Sequence, residues 1–376
     1  MNTINQHNIV STNDAINIIK KIISVQLKQP ELAESLPAIL LRGAPGVGKS
    51  TIVKSIAKEL KIDFIDVRLA MMERCDLAGL PSVEDGTTKW NIPTFWPKEG
   101  SGILFFDEIT AAPSDCQVAA YQLILDRALT SAAYKLPAGW VIVAAGNRKE
   151  DRAVAKTMSS ALANRFMHLT VEANAEEWKI WAVQHDVHPS VVGFLSYRPK
   201  NLFVMENQDL EAGWPSPRSW ERVSNIIPYF SGDENFETLR KTVYGLVGPS
   251  VGIEFMEFHK IQAKFDDTLK LLTDPEAKLP NFDEMTADRK WALCSAISYL
   301  VWSNSSEEEQ KKRISGMYRI LMKMTADFAT LTAKLVMAGN SKVDRFKASM
   351  MIVSDAGYKK FAEKFGEEFA KHHSLA

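Results

Sequence analysis

Gly43-Ala44-Pro45-Gly46-Val47-Gly48-Lys49-Ser50 follows the apolar run Ala38-Ile39-Leu40-Leu41 and precedes the segment Thr51 to Leu60. The eight residues fit G-x-x-x-x-G-K-[ST], a phosphate-binding loop. The run ahead reads as a short buried strand. The segment behind reads as a helix with Ile52, Ile56 and Leu60 on one face. Strand, glycine loop and helix, in that order, are the context the motif needs. Glycines let successive backbone N–H groups turn inward onto phosphate oxygens, and the following helix adds the positive end of its dipole. Lys49 is expected to reach the β- and γ-phosphates, and the Ser50 hydroxyl to take one Mg²⁺ position. Gly43 through Thr51 form the expected nucleotide cradle.

A second stretch carries matching chemistry. Ile103-Leu104-Phe105-Phe106-Asp107-Glu108 reads as a buried parallel strand that delivers two carboxylates at its C-terminal end, where open α/β sheets place their ligands. Asp107 suits Mg²⁺, held through water, and Glu108 suits polarisation of an attacking water. Further on, Trp140-Val141-Ile142-Val143-Ala144-Ala145-Gly146-Asn147 is another buried strand ending in a polar residue. Asn147 reads as a group that orients water or touches the γ-phosphate; a plain turn residue is the alternative.

The rest of the chain frames these motifs. Thr12 to Lys28 has helical spacing of Ile16, Ile19, Ile23 and Leu27, either walling a base pocket or packing in the core. Asp63 to Val67 reads as a second strand. Arg68 to Gly100 is long and irregular, with an Asp85-Gly86 hairpin signal and the aromatics Trp90, Phe95 and Trp96. Those aromatics either serve function or cover the sheet edge. Ser114 with Gln117 reads as a capping box, and Val118, Tyr121, Leu125 and Leu129 as the apolar stripe of the helix it opens. Arg165 stands just before a fifth strand, Phe166 to Val171. It either satisfies a local carboxylate or reaches a neighbouring subunit's γ-phosphate.

From Ala173 the pattern turns helical, with candidates at Glu177–Gln184, Pro189–Tyr197 and Ser219–Ile227. Pro217 pre-sets a helix entry and Arg218 follows it, where the helix dipole disfavours a cation. An anionic partner for Arg218 is therefore expected, either a γ-phosphate or Glu221. From about Phe265 onward the chain is helical with no catalytic constellation. Its stripe of Ile314, Met317, Tyr318, Leu321, Met324, Phe328, Leu331 and Leu335 reads as core before partner surface.

Composition bounds the class. The chain has 376 residues, 46% hydrophobic and 24% charged, an ordinary globular balance that suggests two or three domains. The formal net charge of −1 gives no global support for nucleic-acid binding. No apolar run reaches membrane-spanning length. Met1 to His7 lacks the basic start and apolar core of a secretory signal. Cys75, Cys116 and Cys294 are far apart and never in C-x-x-C, which reads as reduced packing residues in a cytoplasmic protein. His185 and His188 read as helix-end residues, not metal ligands.

Taken together, GAPGVGKS at 43–50, DLAGLP at 76–81, ILFFDE at 103–108, AAGN at 144–147, ANRF at 163–166 and PSPRSW at 215–220 resemble an AAA+ ATPase of the MoxR-like branch. The resemblance implies an α/β fold: a five-stranded parallel P-loop sheet in an αβα sandwich over 1–171, an all-α lid over 172–264, and here a helical C-terminal extension over 265–376. It implies ATP and Mg²⁺, and a homo-oligomer forming a hexameric ring. Lys49, Ser50, Asp107 and Glu108 become the two Walker motifs, Asn147 sensor one, Arg165 the trans arginine finger and Arg218 the sensor-two arginine. The 68–100 insert would line or cap the ring. It further implies chaperone-like remodelling of a protein partner, one with a von Willebrand factor A domain being the family's habit. A nucleic-acid-dependent loader and a nucleotide-gated assembly switch are the alternatives.

Overall fold

The computed structural model describes residues 9–129, 133–148, 158–205, 212–230, 232–263, 267–303 and 305–373. The chain divides into two units, Met1–Asn174 and Ala175–Ala376. Met1 to His7 and the 264/265 boundary expected from sequence lie outside the described residues.

The first unit runs β1 (Ile9–Val10), α1 (Thr12–Lys28), β2 (Ala38–Arg42), α2 (Lys49–Leu60), β3 (Asp63–Arg68), α3 (Arg74–Ala78), β4 (Leu80–Glu84) and β5 (Thr87–Asn91). It continues through β6 (Gly102–Asp107), α4 (Ser114–Asp126), β7 (Ala128–Leu129), β8 (Tyr134–Lys135), β9 (Trp140–Gly146), α5 (Ser160–Ala163) and β10 (Phe166–Val171). One parallel sheet has the order β1-β10-β2-β9-β6-β3. The five strands expected from sequence are all in it. The sixth, β1, pairs Ile9 and Val10 with Thr170 and Val171, and two residues are too few to show a strand period.

Strand alternation sends the two faces of the sheet into two cores. Ile39, Leu41, Ile103, Phe105, Val141, Val143 and Ala145 meet Ala15, Ile19 and Ile23 of α1 and Ile52, Val53 and Ile56 of α2. The intervening residues Leu40, Leu104, Phe106, Ile142 and Ala144 meet α4 and Trp96. Both faces being covered explains why these strands are apolar throughout.

Helix α4 departs from expectation. Pro113 is its N-cap residue and no capping side chain is bonded there; the Gln117 amide instead donates to the Ile109 and Ala112 carbonyls at 3.0 and 3.3 Å. The helix ends at Asp126, and Leu129 lies in β7. Val118 and Leu125 are exposed, whereas Cys116, Ala119, Ala120, Leu123 and Ile124 are buried. The buried face is mostly small, which allows close approach to the sheet; a reading weighted toward large side chains picks the wrong face.

In the insert, β4 and β5 form an antiparallel hairpin in the register Glu84↔Thr87. Asp85 (φ 48°) and Gly86 (φ 72°) both take left-handed backbone, as a two-residue turn matched to strand twist requires. Trp96 is 1% exposed. Its Nε1 donates to the Leu77 carbonyl at 2.9 Å, and its ring meets those of Phe95, Phe106 and Tyr134. Phe95 is half-buried against the same core. For these two, covering the sheet is the role observed. Trp90 remains 37% exposed on the hairpin.

The second unit is helical among its described residues. It contains α6 (Ala175–Gln184), α7 (Pro189–Tyr197), α8 (Pro217–Ile226), α9 (Phe236–Val247), α10 (Pro249–Ala263) and α11 (Thr268–Thr273). It continues with α12 (Ala287–Leu300), α13 (Glu307–Leu321), α14 (Ala326–Met337), α15 (Arg345–Ser354) and α16 (Ala356–His373). Helix α7 packs along α12 and α10. The C-terminal stripe proves to be core: Ile314, Met317, Tyr318, Leu321, Met324 and Leu335 are buried, although the stripe is divided between α13 and α14. His188 caps α7, its Nδ1 accepting from the Ser190 N–H at 3.2 Å, and His185 stacks on Trp181.

Candidate nucleotide site

Three adjacent parallel strands bring the site together. β2 pairs with β9, and β9 with β6, so the loops leaving all three emerge at one edge of the sheet. The loop after β2 is the glycine loop. Gly46 (φ 81°) and Gly48 (φ 96°) hold left-handed backbone that side-chain-bearing residues avoid, and Gly48 is the N-cap of α2. Gly46 and Val47 are buried, and no acceptor among the described residues meets their N–H groups or that of Gly48. Buried donors without a chain acceptor at a helix N-terminus fit an anion.

Lys49 is buried, its ammonium donating to the Gly43 carbonyl at 2.7 Å, the Ala44 carbonyl at 3.0 Å and Asn147 Oδ1 at 3.0 Å. The Ser50 hydroxyl donates to Asp107 Oδ2 at 2.7 Å. The other Asp107 oxygen accepts the Glu108 N–H at 2.9 Å. A hydroxyl oxygen and a carboxylate oxygen this close suit Mg²⁺, which takes one or two protein ligands and fills its shell with phosphate and water. No cluster of three His, Cys, Asp or Glu side chains suited to a metal occurs among the described residues, so a cage made of protein alone does not compete.

Glu108 is exposed and lies at φ 56°, a conformation that costs a non-glycine residue about 1–2 kcal/mol. The turn is held on both sides: Ile109 N–H bonds the Ala145 carbonyl at 3.0 Å, and Ala111 N–H bonds the Glu108 carbonyl at 2.8 Å. Strained backbone held by its surroundings is typical of functional positions.

Thr110 is a residue the sequence reading missed. It is buried, and its Oγ1 accepts the Asn147 N–H at 3.1 Å. Gly146 makes this approach possible, because a Cβ there would stand 2.6 Å from Thr110 Cγ2. A hydroxyl soon after the paired acids was the available signal, but its partner comes from the loop that follows another strand.

Arg165 lies at the far end of the sheet. Phe166 registers with Ala38, the first residue of β2, while the glycine loop follows Arg42 at the last. Five residues of strand span about 16 Å, which puts Arg165 out of reach of phosphates held by its own Lys49. Its guanidinium donates to the Tyr121 hydroxyl and lies 4.6 Å from the Tyr121 ring centre. Arg218 is an exposed residue in the first turn of α8, in the second unit, after the N-cap Ser216. It forms no ion pair with Glu221 among the described residues. The structure thus gathers Lys49, Ser50, Asp107, Glu108 and Asn147 at one edge and places Arg165 apart from them.

The AAA domain of the dynein-related subfamily matches residues 38–166. A Holliday junction branch migration complex subunit RuvB from Phytoplasma mali is 33% identical over 114 residues, 30% of each chain; the match therefore spans under a third of that relative. Among solved structures, the Thermotoga maritima RuvB branch migration motor is 19% identical over 68% of this chain and 74% of its own, with a TM-score of 0.37. NtrX from Brucella abortus is 14% identical over 89% and 67%, with a TM-score of 0.36. No described helix is long and apolar enough to cross a membrane. Residues 38–166, which contain the glycine loop, the paired acids and the strand-end asparagine, are thus similar to an AAA domain.

Proposed function

We propose that this chain hydrolyses ATP as a hexameric ring and uses the cycle to remodel a protein partner, as the MoxR-like branch does. The observation that carries the reading is the meeting of Lys49, Ser50, Asp107 and Asn147 within hydrogen-bond distance at one sheet edge. The glycine-loop N–H groups and Lys49 bind the β- and γ-phosphates. Ser50 and Asp107 would hold Mg²⁺, which when bound would neutralise charge on the phosphate oxygens. Glu108 takes a proton from water as its oxygen adds to the γ-phosphorus; the bond to the β–γ bridging oxygen breaks, leaving ADP and phosphate. Asn147 orients that water. Arg165 of the adjoining copy stabilises the charge that develops, and its distance from its own glycine loop supports action across an interface.

Arg218 serves the same phosphate from the lid, assigned to 172–264, with 265–376 as the extension. Coupling then follows from differential contacts: ATP ties lid to core and hydrolysis releases the tie. The partner in this reading is a protein, with a von Willebrand factor A domain protein the first candidate. Three free cysteines support a cytoplasmic setting. The deciding experiment is Glu108→Gln: nucleotide binding is retained and turnover lost. Undiminished turnover overturns the role of Glu108.

A separate observation favours a second reading, a nucleic-acid-dependent motor: the 114-residue likeness to a RuvB subunit. The net charge of −1 counts against it. ATPase stimulation by branched or single-stranded DNA that weakens with salt would reverse the ranking.

A further inference from the structure

From the contact between α4 and the residue that precedes β10, we infer that Tyr121 is a positioning residue for Arg165, setting the guanidinium for delivery into the neighbouring copy's site. The inference rests on the proposed trans role of Arg165 and adds the residue that aims it.

Arg165 directly follows the short helix α5 and precedes β10. A long side chain at such a junction has several rotatable bonds, and fixing them is costly. Catalysis by an inserted cation gains only if the cation arrives in place, because a misplacement of about 1 Å can cost a hundredfold. Tyr121 supplies two restraints at once. Its hydroxyl accepts a hydrogen bond from Arg165 Nη1, and its ring lies 4.6 Å from the guanidinium carbon. The ring face attracts a cation, and the hydroxyl acceptor fixes the plane of the fork.

Tyr121 is itself held. It is half-buried in α4 and packs against the core formed by Leu104, Phe106, Leu123 and Leu162. Leu162 belongs to α5, three residues before Arg165. The two ends of the contact are therefore anchored in one core. Position 121 lies on neither strand edge that binds phosphate, so its own subunit's nucleotide cradle does not depend on it.

The test uses the full chain, with Tyr121→Phe and Tyr121→Ala assayed for ATP turnover, KM, assembly and melting. Tyr121→Ala is expected to lower kcat at least about tenfold, the low end for one hydrogen bond to a charged group, with KM for ATP within about twofold. Tyr121→Phe keeps the ring and is expected to fall between wild type and Tyr121→Ala. In an Arg165→Ala background, the Tyr121→Ala loss disappears. Mixing Tyr121→Ala with Glu108→Gln subunits restores part of the turnover, because some junctions then pair an intact cradle with a correctly aimed arginine. A purely structural role for Tyr121 gives no such restoration and an additive loss with Arg165→Ala. An assembled Tyr121→Ala protein with wild-type or raised kcat overturns the inference while leaving the trans role of Arg165 standing. Full turnover in an assembled Arg165→Ala oligomer overturns both.

Discussion

Thr110→Val is the sharpest probe of the site, because it keeps shape and deletes one hydroxyl. In the native chain Thr110 Oγ1 takes the Asn147 N–H at 3.1 Å, and the Asn147 side chain reaches Lys49 Nζ at 3.0 Å. One short path thus runs from the turn after the paired acids to the ammonium in the phosphate loop. A neutral hydrogen bond is worth about 1 kcal/mol net, and stranding a buried donor costs about 1–3. Asn147 is half-buried, so water offsets some of the loss and about 1 kcal/mol is the fitting value. That corresponds to a melting shift of about 2–4 °C for a unit of this size. If the asparagine is displaced equally in the transition state, kcat falls about fivefold. Thermal unfolding and steady-state ATP turnover read the two effects separately. Thr110→Ser, which restores the hydroxyl, is expected to recover both. Wild-type melting and turnover in Thr110→Val would refute the strut.

Further outcomes follow from the same geometry. Arg165→Ala should assemble, bind ATP and turn over at least a hundredfold more slowly, the lower range for loss of a finger being about a thousandfold in the best-studied NTPases; coupled-enzyme kinetics on the sized oligomer checks it. Trp96→Ala empties a site that is 1% exposed and loses the Nε1 bond to Leu77, so about 3–5 kcal/mol of stability should go, read by denaturant titration. The second unit should also lose stability in acid. Burial pushes His188 down to about 4, with the neighbouring His259 adding to the effect, and burial lowers His259 as well. An unfolded chain then binds more protons than the native one below the ordinary histidine value, so stability is full above about pH 6.5 and falls as pH drops toward 4. His188→Asn, which keeps a capping oxygen, should flatten that fall in a pH series of melting curves; an unchanged slope removes His188 from the account.

The parts of the site legible in the sequence share one property: each is written in consecutive residues. Gly43 to Ser50 states its own backbone geometry, since only glycine tolerates the φ values at 46 and 48. Asp107 and Glu108 announce themselves as acids at the end of an apolar strand, and the Asp85-Gly86 turn specifies its hairpin through the chemistry of two residues. The central strands β2, β6 and β9 were legible for the same reason, because a strand buried on both faces is an unbroken apolar run. What only the tertiary structure decided lies between segments. The partner of Thr110 follows β9, that of Arg165 is on α4, and the buried face of α4 is set by how closely it approaches the sheet. The sixth strand exists because the end of β10 offers two residues something to pair with. Local sequence encodes local backbone preference, but a contact between distant residues depends on strand order, and strand order is fixed only when the whole sheet finds its register.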